Sequence, residues 1–311
     1  MATKVNIIGA GTYGLALGSY LRMNGFDTEI FEMHDLPGGL CTAWQRKGYT
    51  FDACIHWLLG SSPGINLHEM WKELHAVQDR QFVEWDVFAR VKTSSGETLT
   101  IYTDPGKLEL EMLRIAPEDS AQIQKLCKAI RTIAKADMIV TNEKMGFLKR
   151  MKAVLPWLTA GPILKKYSKI SIDTFFKKLK SSVLKEAIRR MFGGSGTDSG
   201  AENSEGMPMV ALVMMLAFMS KGSAGYPIGG SLEFSRAIEK RFLDLGGKIN
   251  YKSPVERIIV ENDTAVGIVS NGVEYRSDVV ISCADGHKTL FDMLGGKYFS
   301  KEQWDAYQNY P

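Results

Sequence analysis

The chain has 311 residues, 45% of them hydrophobic, with 38 Lys and Arg against 35 Asp and Glu for a net charge of +3. Length and apolar content allow one large globular domain or two. Four cysteines (Cys41, Cys54, Cys127, Cys283) without CxxC spacing fit a reducing compartment rather than a disulfide framework, and five histidines without HExxH or a cluster give no reason to expect a metal. The chain enters a strand almost at once, with no basic region, apolar core and cleavage site, so a cytoplasmic start is expected.

In chain order, Val5 to Ile8 is a short apolar run that reads as a strand. It ends at Gly9, and Gly9, Gly11 and Gly14 form GxGxxG at the opening of a helical pattern. Gly9 allows a tight turn, Gly11 lets a pyrophosphate approach the backbone, and Gly14 lets helix pack on strand. Amides and dipole at the helix start favour a diphosphate there, so Gly9, Ala10, Gly11, Thr12, Tyr13 and Gly14 make up the candidate phosphate loop. A second strand, Thr28 to Phe31, ends at Glu32. Its carboxylate can accept ribose hydroxyls, with Met33 beside it, and favours an unphosphorylated ribose, hence FAD or NAD over NADP.

After Glu32 comes E-x5-GG-L-C-T, with Gly38, Gly39 and Leu40, where missing side chains admit a second stretch of backbone to a diphosphate. The segment GYTFDACIHWLLG follows from Gly48 to Gly60. The doublet resembles the second motif of the FAD-dependent amine oxidase superfamily. The following segment resembles the GYxFDxGxHxxxG run of its branch of phytoene desaturases, carotenoid isomerases and all-trans-retinol 13,14-reductases, also called retinol saturases. Cys54 stands where that branch usually has glycine.

Beyond Gly60, Gly64 to His75 reads as a short helix. Gln81 to Tyr102 reads as two strands around Ser94-Ser95-Gly96, and Pro105 to Val140 as helix with two apolar stripes. Pro117-Glu118-Asp119 suits the first turn of the second of these helices. Lys149 to Arg190 holds twelve Lys and Arg against Asp173 and Glu186, interleaved with Trp157, Leu158, Ile163, Leu164, Phe175 and Phe176. Two readings stay open: a solvated face whose apolar residues enter the core, or peripheral contact with an anionic lipid surface through 149–190. No nucleic-acid reading module accompanies the charge. Phe192 to Gly206 is polar and glycine-rich, read as a mobile loop with a lid as one option, and Met207 to Met219 as a buried helix, either plain core or the lining of an apolar tunnel.

From Tyr226 the run YPIGGSLEFSRAIEKRFLDLGGKINYKSPVERIIV gives a glycine pair, an amphipathic helix, a Gly246-Gly247 stop and a strand carrying Val255. Glu274 to Ala284 reads as the strand returning to the nucleotide sheet, with Ala265 to Val269 in a small hairpin before it. The run is similar to the YPxGG, helix, GG and V-x-x-I series of the same superfamily. That resemblance implies flavin-side roles for Gly229 and Gly230, an adenine-side backbone role for Val255, and a place at the cofactor for Ala284.

What the resemblance implies is an α/β chain with a Rossmann-like FAD-binding domain, a doubly wound parallel sheet, and an inserted α+β substrate domain. The expected divisions are 1–75 and 223–288 for the FAD-binding domain, 76–222 for the substrate domain, and 289–311 for the start of a return into it. Members of the family continue with a C-terminal segment that faces the flavin, and this chain ends at Tyr310-Pro311, so a C-terminally shortened member is expected. The implied function is FAD-dependent desaturation, saturation or isomerisation of a long apolar isoprenoid or polyene, with redox partner undefined. His56, by its place in the FDxGxH run, and Tyr226, beside the glycine pair, are the candidate catalytic residues; a structural role for His56 stays open. Rival readings are an NAD-dependent dehydrogenase, a flavin amine oxidase, and a non-redox prenyl-lipid carrier built like the Rab GDP-dissociation inhibitors.

Overall fold

The computed structural model describes residues 2–136, 146–192 and 207–309. It divides into two compact units. The first comprises Met1–His56, Met70–Gln81 and Pro227–Pro311, and the second Trp57–Glu69 and Phe82–Tyr226.

In the first unit a four-stranded sheet runs in the order Lys248–Asn250, Asp27–Phe31, Lys4–Ile8, Val279–Ser282, with every neighbouring pair parallel. Its central strand is buried from Val5 to Ile8, as a parallel strand covered on both faces must be. Successive side chains point to opposite faces. Ile30 turns toward the helices Thr12–Met23 and Gly230–Asp244, where absent side-chain atoms at Gly18 admit both Ile30 and Phe242. Phe31 turns the other way and joins Ile8 in a core with Val255, Ile268 and Met293. The last three belong to a three-stranded antiparallel sheet (Val255–Glu261, Thr264–Ser270, Val273–Arg276) and to the helical turn Lys288–Met293. The result is a Rossmann-like α/β unit in three layers, with helices over one face of the parallel sheet and a second sheet over the other.

Three details differ from the sequence reading. Gly246-Gly247 leads into the short strand Lys248–Asn250, which joins the parallel sheet, while Val255 begins a separate antiparallel strand past Pro254, which has no amide to continue a ladder. The stretch Glu274 to Ala284 is two strands rather than one. The chain breaks at Ser277-Asp278, where the Asp278 carboxylate accepts the Lys4 amide at 2.7 Å, and only Val279–Ser282 returns to the central strand. Residues 289–311, expected to start a return to the inserted domain, cluster with the first unit, where Met293 enters its core and Phe291 packs against Phe299 and Trp304.

The segment between Gly39 and Ile55 also holds a hairpin, Ala43–Arg46 with Tyr49–Asp52. Lys47 and Gly48 both take positive φ in its two-residue turn, which suits the right-handed twist of the strands.

In the second unit the expected strand pair is Val87–Lys92 with Thr98–Tyr102, antiparallel. Helices Pro105–Ile115 and Ser120–Ile133 carry the two apolar stripes into a core with Leu99, Leu184, Met209 and Leu216. The first of them is capped by Asp104, whose side chain accepts the amides of Gly106 and Lys107 with Pro105 at the first helical position. Asp119 does more than favour a helix dipole: it is buried, and its carboxylate accepts the amides of Lys180 and Ser181 at 2.7 and 2.9 Å. Residues 137–140 of the expected helical region, and 193–206 of the expected mobile loop, lie outside the described residues. Among the described residues no helix is long and apolar enough to cross a membrane, and no group of His, Cys, Asp and Glu is arranged to hold a metal.

Candidate dinucleotide site

The glycine loop sits between the C-terminal end of the central strand and the first helix. Gly9 donates its amide to the Phe31 carbonyl (2.8 Å), which ties the loop to the end of the second strand. A Cβ on Gly14 would lie 2.1 Å from the Gly9 carbonyl oxygen, so the chain itself requires glycine there. Gly11 is different. It has an ordinary extended φ of −61°, and a Cβ built on it meets nothing within 4 Å. The fold does not demand a glycine at Gly11, and the space over it is open. Gly11 caps a helix that has no side-chain cap and no acidic residue in its first turn, which leaves the partial positive charge of that end without a protein anion. Thr12 begins this helix, and its hydroxyl oxygen is enclosed without a hydrogen-bond partner among the described residues.

Gly38 and Gly39 close the loop from the other side. Gly38 pairs with Gly11 in an isolated parallel bridge and donates its amide to the Ala10 carbonyl at 2.8 Å. Two things exclude a side chain there: its φ of +105°, and the Cys41 carbonyl oxygen, which a Cβ would approach to 2.2 Å. A Cβ on Gly39 would lie 3.3 Å from the Gly11 Cα, so the two glycine-rich segments approach backbone to backbone.

Glu32 is only 5% exposed. Its Oε2 accepts the Ala10 amide at 2.7 Å and its Oε1 accepts the His34 amide at 2.9 Å. Each oxygen keeps a further lone pair for a hydroxyl donor. The Glu32 carbonyl accepts the Ser253 amide at 2.8 Å, which brings the segment leading to Val255 to the end of the second strand. Glu32 and Val255, separated by more than two hundred residues, are thus part of one local structure. Cys283 follows the closing strand and lies beside Gly14, 3.6 Å from a Cβ placed there; burial pushes its thiol up to about 11, so it presents a neutral SH at neutral pH. Ala284 comes next, within 4 Å of a Cβ at Gly9.

Around this loop the surface is apolar: Tyr13, Met33 and Leu40 are all exposed. Gly229, in the left-handed conformation, caps the helix Gly230–Asp244. The start of that helix holds the FDACIH segment, since Ser231 donates its amide to Asp52 (2.9 Å) and its hydroxyl accepts the Ile55 amide (2.8 Å). His56 follows and is exposed. Tyr226 is half-buried and belongs to the second unit, whereas His56 and all the other candidates belong to the first.

Two features had little signal in the sequence. Arg80 donates to three backbone carbonyls, those of Ala76, Ile228 and Glu233, and so pins the glycine pair beside an open cleft of about 440 Å³ that it lines with Gln78, Asp79, Gly229 and Glu233. A lone Arg in a loop announces nothing. Ser231 and Ser235 stand four apart on the helix, a spacing that puts both on one face, and Ser235 donates to the Cys41 carbonyl at 2.7 Å. The methionine-rich helix, now Met209–Ser220, puts Met209, Leu212, Val213 and Leu216 into the core of its own unit. The space that Leu212 and Leu216 share with Leu99 and Leu126 is about 10 Å³, room for about one water.

The residues present fit an ADP-bearing cofactor: open space over a glycine that the fold does not need, an uncapped helix start, and a buried carboxylate with acceptor capacity to spare.

Residues 7–74 match the family described as an NAD(P)-binding Rossmann-like domain. Over 299 residues the chain is 24% identical to a lycopene-forming phytoene desaturase of Pseudescherichia vulneris, covering 94% of this chain and 58% of that protein. Over 312 residues it is 26% identical to an inactive all-trans-retinol 13,14-reductase of Danio rerio, covering 93% of this chain and 48% of the other. The chain therefore spans about half the length of the curated relatives it matches. Among solved structures, an oxidoreductase from Methanosarcina mazei superposes with a TM-score of 0.59 at 21% identity, over 98% of this chain and 64% of the other. Over almost its whole length the chain is similar to phytoene desaturases and retinol reductases, and it shares its fold with the Methanosarcina mazei oxidoreductase.

Proposed function

We propose that this chain binds FAD and acts, alone or as part of a longer protein, as an oxidoreductase on carbon–carbon bonds of a long apolar isoprenoid or polyene. The observation that carries the reading is Gly11, a glycine with no steric reason within the protein, standing where the first helix start, Gly39 and Glu32 converge. In this reading Gly9 to Gly14 and Gly38 to Leu40 receive the diphosphate, Glu32 the ribose hydroxyls, and Val255 the adenine through its backbone. Gly229 and Gly230 admit the ring system, and Ala284 closes the loop at Gly9. Flavin supplies hydride exchange with a substrate carbon. His56 is the residue assigned to hold or deliver a proton, by its place in the FDxGxH run, with Tyr226 beside the glycine pair as a second candidate. The phytoene desaturase and retinol reductase similarities support a polyene substrate class over an amine.

The test is direct. Purified chain incubated with FAD and then desalted should retain yellow flavin absorption that bleaches on reduction. Colourless protein that takes up a prenyl chain instead would support the non-redox lipid carrier.

A peripheral membrane contact belongs to the same reading, and the structure changes which residues would make it. Phe175 and Phe176 are in the core of the second unit, so they are not available to lipid. Leu148 and Met151 on the helix Phe147–Val154, Leu155 in the turn after it and Leu158 on the helix Trp157–Tyr167 are exposed, and Leu148 and Leu158 reach 77% and 67% exposure. Lys152, Lys165, Lys166 and Lys169 are exposed in the same segment. An apolar stripe with basic flanks suits the headgroup region of an anionic bilayer. Reversing Lys165, Lys166 and Lys169 to Glu should weaken flotation with anionic liposomes by about two orders of magnitude, from roughly 1 kcal/mol per basic residue at low salt. Flotation unchanged by the triple variant would remove the contact.

A further inference from the structure

Ala43 pairs with Asp52 in the hairpin of the first unit, and the next bond outward runs from the Ala53 amide to the Thr42 carbonyl at 3.0 Å. Continuing that register by one residue sets Cys41 opposite Cys54. Thr42 and Ala53 occupy a hydrogen-bonded position of the antiparallel ladder, so Cys41 and Cys54 fall at the alternate kind, where Cα atoms approach to ~4.5 Å. Disulfides need Cα separations of ~4.4–6.8 Å. The two side chains also share a face. Cys41 Sγ lies 3.6 Å from the Ser231 carbonyl, Asp52 accepts the Ser231 amide, and alternation returns Cys54 to the side of Asp52. Trp44 and Phe51 stack on the opposite side, exposed.

We infer that Cys41 and Cys54 form a cross-strand dithiol that closes to an intrachain disulfide when a small disulfide oxidant, such as oxidised glutathione, is present. Both are free thiols, and Cys54 is exposed while Cys41 is buried. The order of events follows from that difference. The Cys54 thiolate attacks a sulfur of oxidised glutathione and releases one glutathione thiolate. The Cys41 thiolate then attacks the Cys54 sulfur, the protein S–S bond forms, and the second glutathione leaves. Two protein thiols are oxidised, one glutathione disulfide is reduced to two thiols, and the protons pass from cysteine to glutathione. Burial, followed by the neighbouring Cys41 and Asp52, raises the Cys54 thiol above its ordinary value. Proximity of the second sulfur, rather than an activated thiolate, is therefore what favours the pair.

The placement gives the bond a consequence. Cys41 donates its amide to the Gly38 carbonyl (2.9 Å) and accepts from Ser235, so the disulfide would tie the Gly38-Gly39 loop to the FDACIH segment on one side of the candidate site. Cys54 stands where the branch that this segment resembles usually has glycine.

The experiment uses the intact chain, incubated with oxidised glutathione, alkylated without reduction and digested with trypsin. Cleavage at Arg46 and Lys47 separates the two cysteines. The expected product is one linked peptide pair containing Cys41 and Cys54, lighter by two hydrogens, together with loss of two of the four free thiols; Cys54→Ser should abolish it. A glutathione adduct retained on Cys54 with Cys41 alkylated as a free thiol would overturn the inference. So would linkage of Cys54 to Cys283, or four thiols left unreacted.

Discussion

Gly11→Ala is expected to leave the first unit folded while weakening its hold on a dinucleotide at least tenfold, whereas Gly14→Ala, three residues on, should damage the fold itself. At Gly11 the backbone is in a conformation any residue adopts and the added methyl meets open space. Restricting the unfolded chain should even raise stability by about 0.4–1 kcal/mol. What the methyl occupies is the approach of a diphosphate to the helix start, so affinity for FAD should fall at least tenfold by titration, about 1.4 kcal/mol or more. At Gly14 the methyl would be 2.1 Å from the Gly9 carbonyl oxygen, and that atom is backbone. Helix and strand must separate, at a cost of about 3 kcal/mol or more, the upper range for an overpacked core. Thermal unfolding and FAD titration of both variants separate the two roles. If Gly11→Ala melts as early as Gly14→Ala, or binds FAD as the parent does, the assignment of Gly11 to the ligand is wrong.

Glu32→Ala should be among the most damaging single changes that leave every glycine in place. The carboxylate is the acceptor for the buried Ala10 amide and for the His34 amide, and removing it strands both. An unsatisfied buried donor costs roughly 1–3 kcal/mol, so a loss of about 2–4 kcal/mol is expected once the partial exposure at His34 is discounted. Glu32→Gln is the informative partner variant. Its amide oxygen can still take the Ala10 N–H, but its NH₂ would face the second amide, so it should recover part of the stability. Ribose recognition should recover less, since a neutral acceptor makes weaker bonds than a carboxylate. Denaturant unfolding reads the first effect, and the ratio of FAD to FMN affinity reads the second, because FMN lacks the adenosine ribose. A Glu32→Gln protein with parental stability and parental FAD preference would show that this carboxylate serves neither purpose.

How much of this was legible depended on whether a residue type had one physical use at its position. GxGxxG after an apolar run has few readings other than a tight strand-to-helix turn, and the strand Lys4–Ile8 does pass through Gly9 and Gly11 into the helix Thr12–Met23. Periodicity read Pro105 to Val140 as helix, where Pro105–Ile115 and Ser120–Ile133 lie, and Gln81 to Tyr102 as two strands, where the pair Val87–Lys92 and Thr98–Tyr102 follows a short third strand, Phe82–Val83. Pairing partners were harder. Both Lys248–Asn250 and Val255–Glu261 look like strands, and nothing local says that the first enters a parallel sheet and the second an antiparallel one; that is decided by which apolar faces meet. The basic segment was misleading in detail for a related reason. Composition identified an amphipathic stretch, but it did not distinguish Phe175, in the core, from Leu148, in solvent. Arg80 illustrates the remaining limit. Its three acceptors are backbone carbonyls, which carry no sequence signature.

The central strand of the parallel sheet acquires its two neighbours at very different moments. Asp27–Phe31 follows within about one helix, but the partner on the other flank is Val279–Ser282, and Lys4 bonds to Asp278 across 274 residues. On a ribosome adding ~5–20 residues per second, the strand would wait roughly 15–50 s with one hydrogen-bonding edge open. An apolar strand with one edge open for that long is a template for the wrong chain. Yield in cells should therefore respond to chaperone supply and to slower growth temperature more than the stability of the finished protein would suggest.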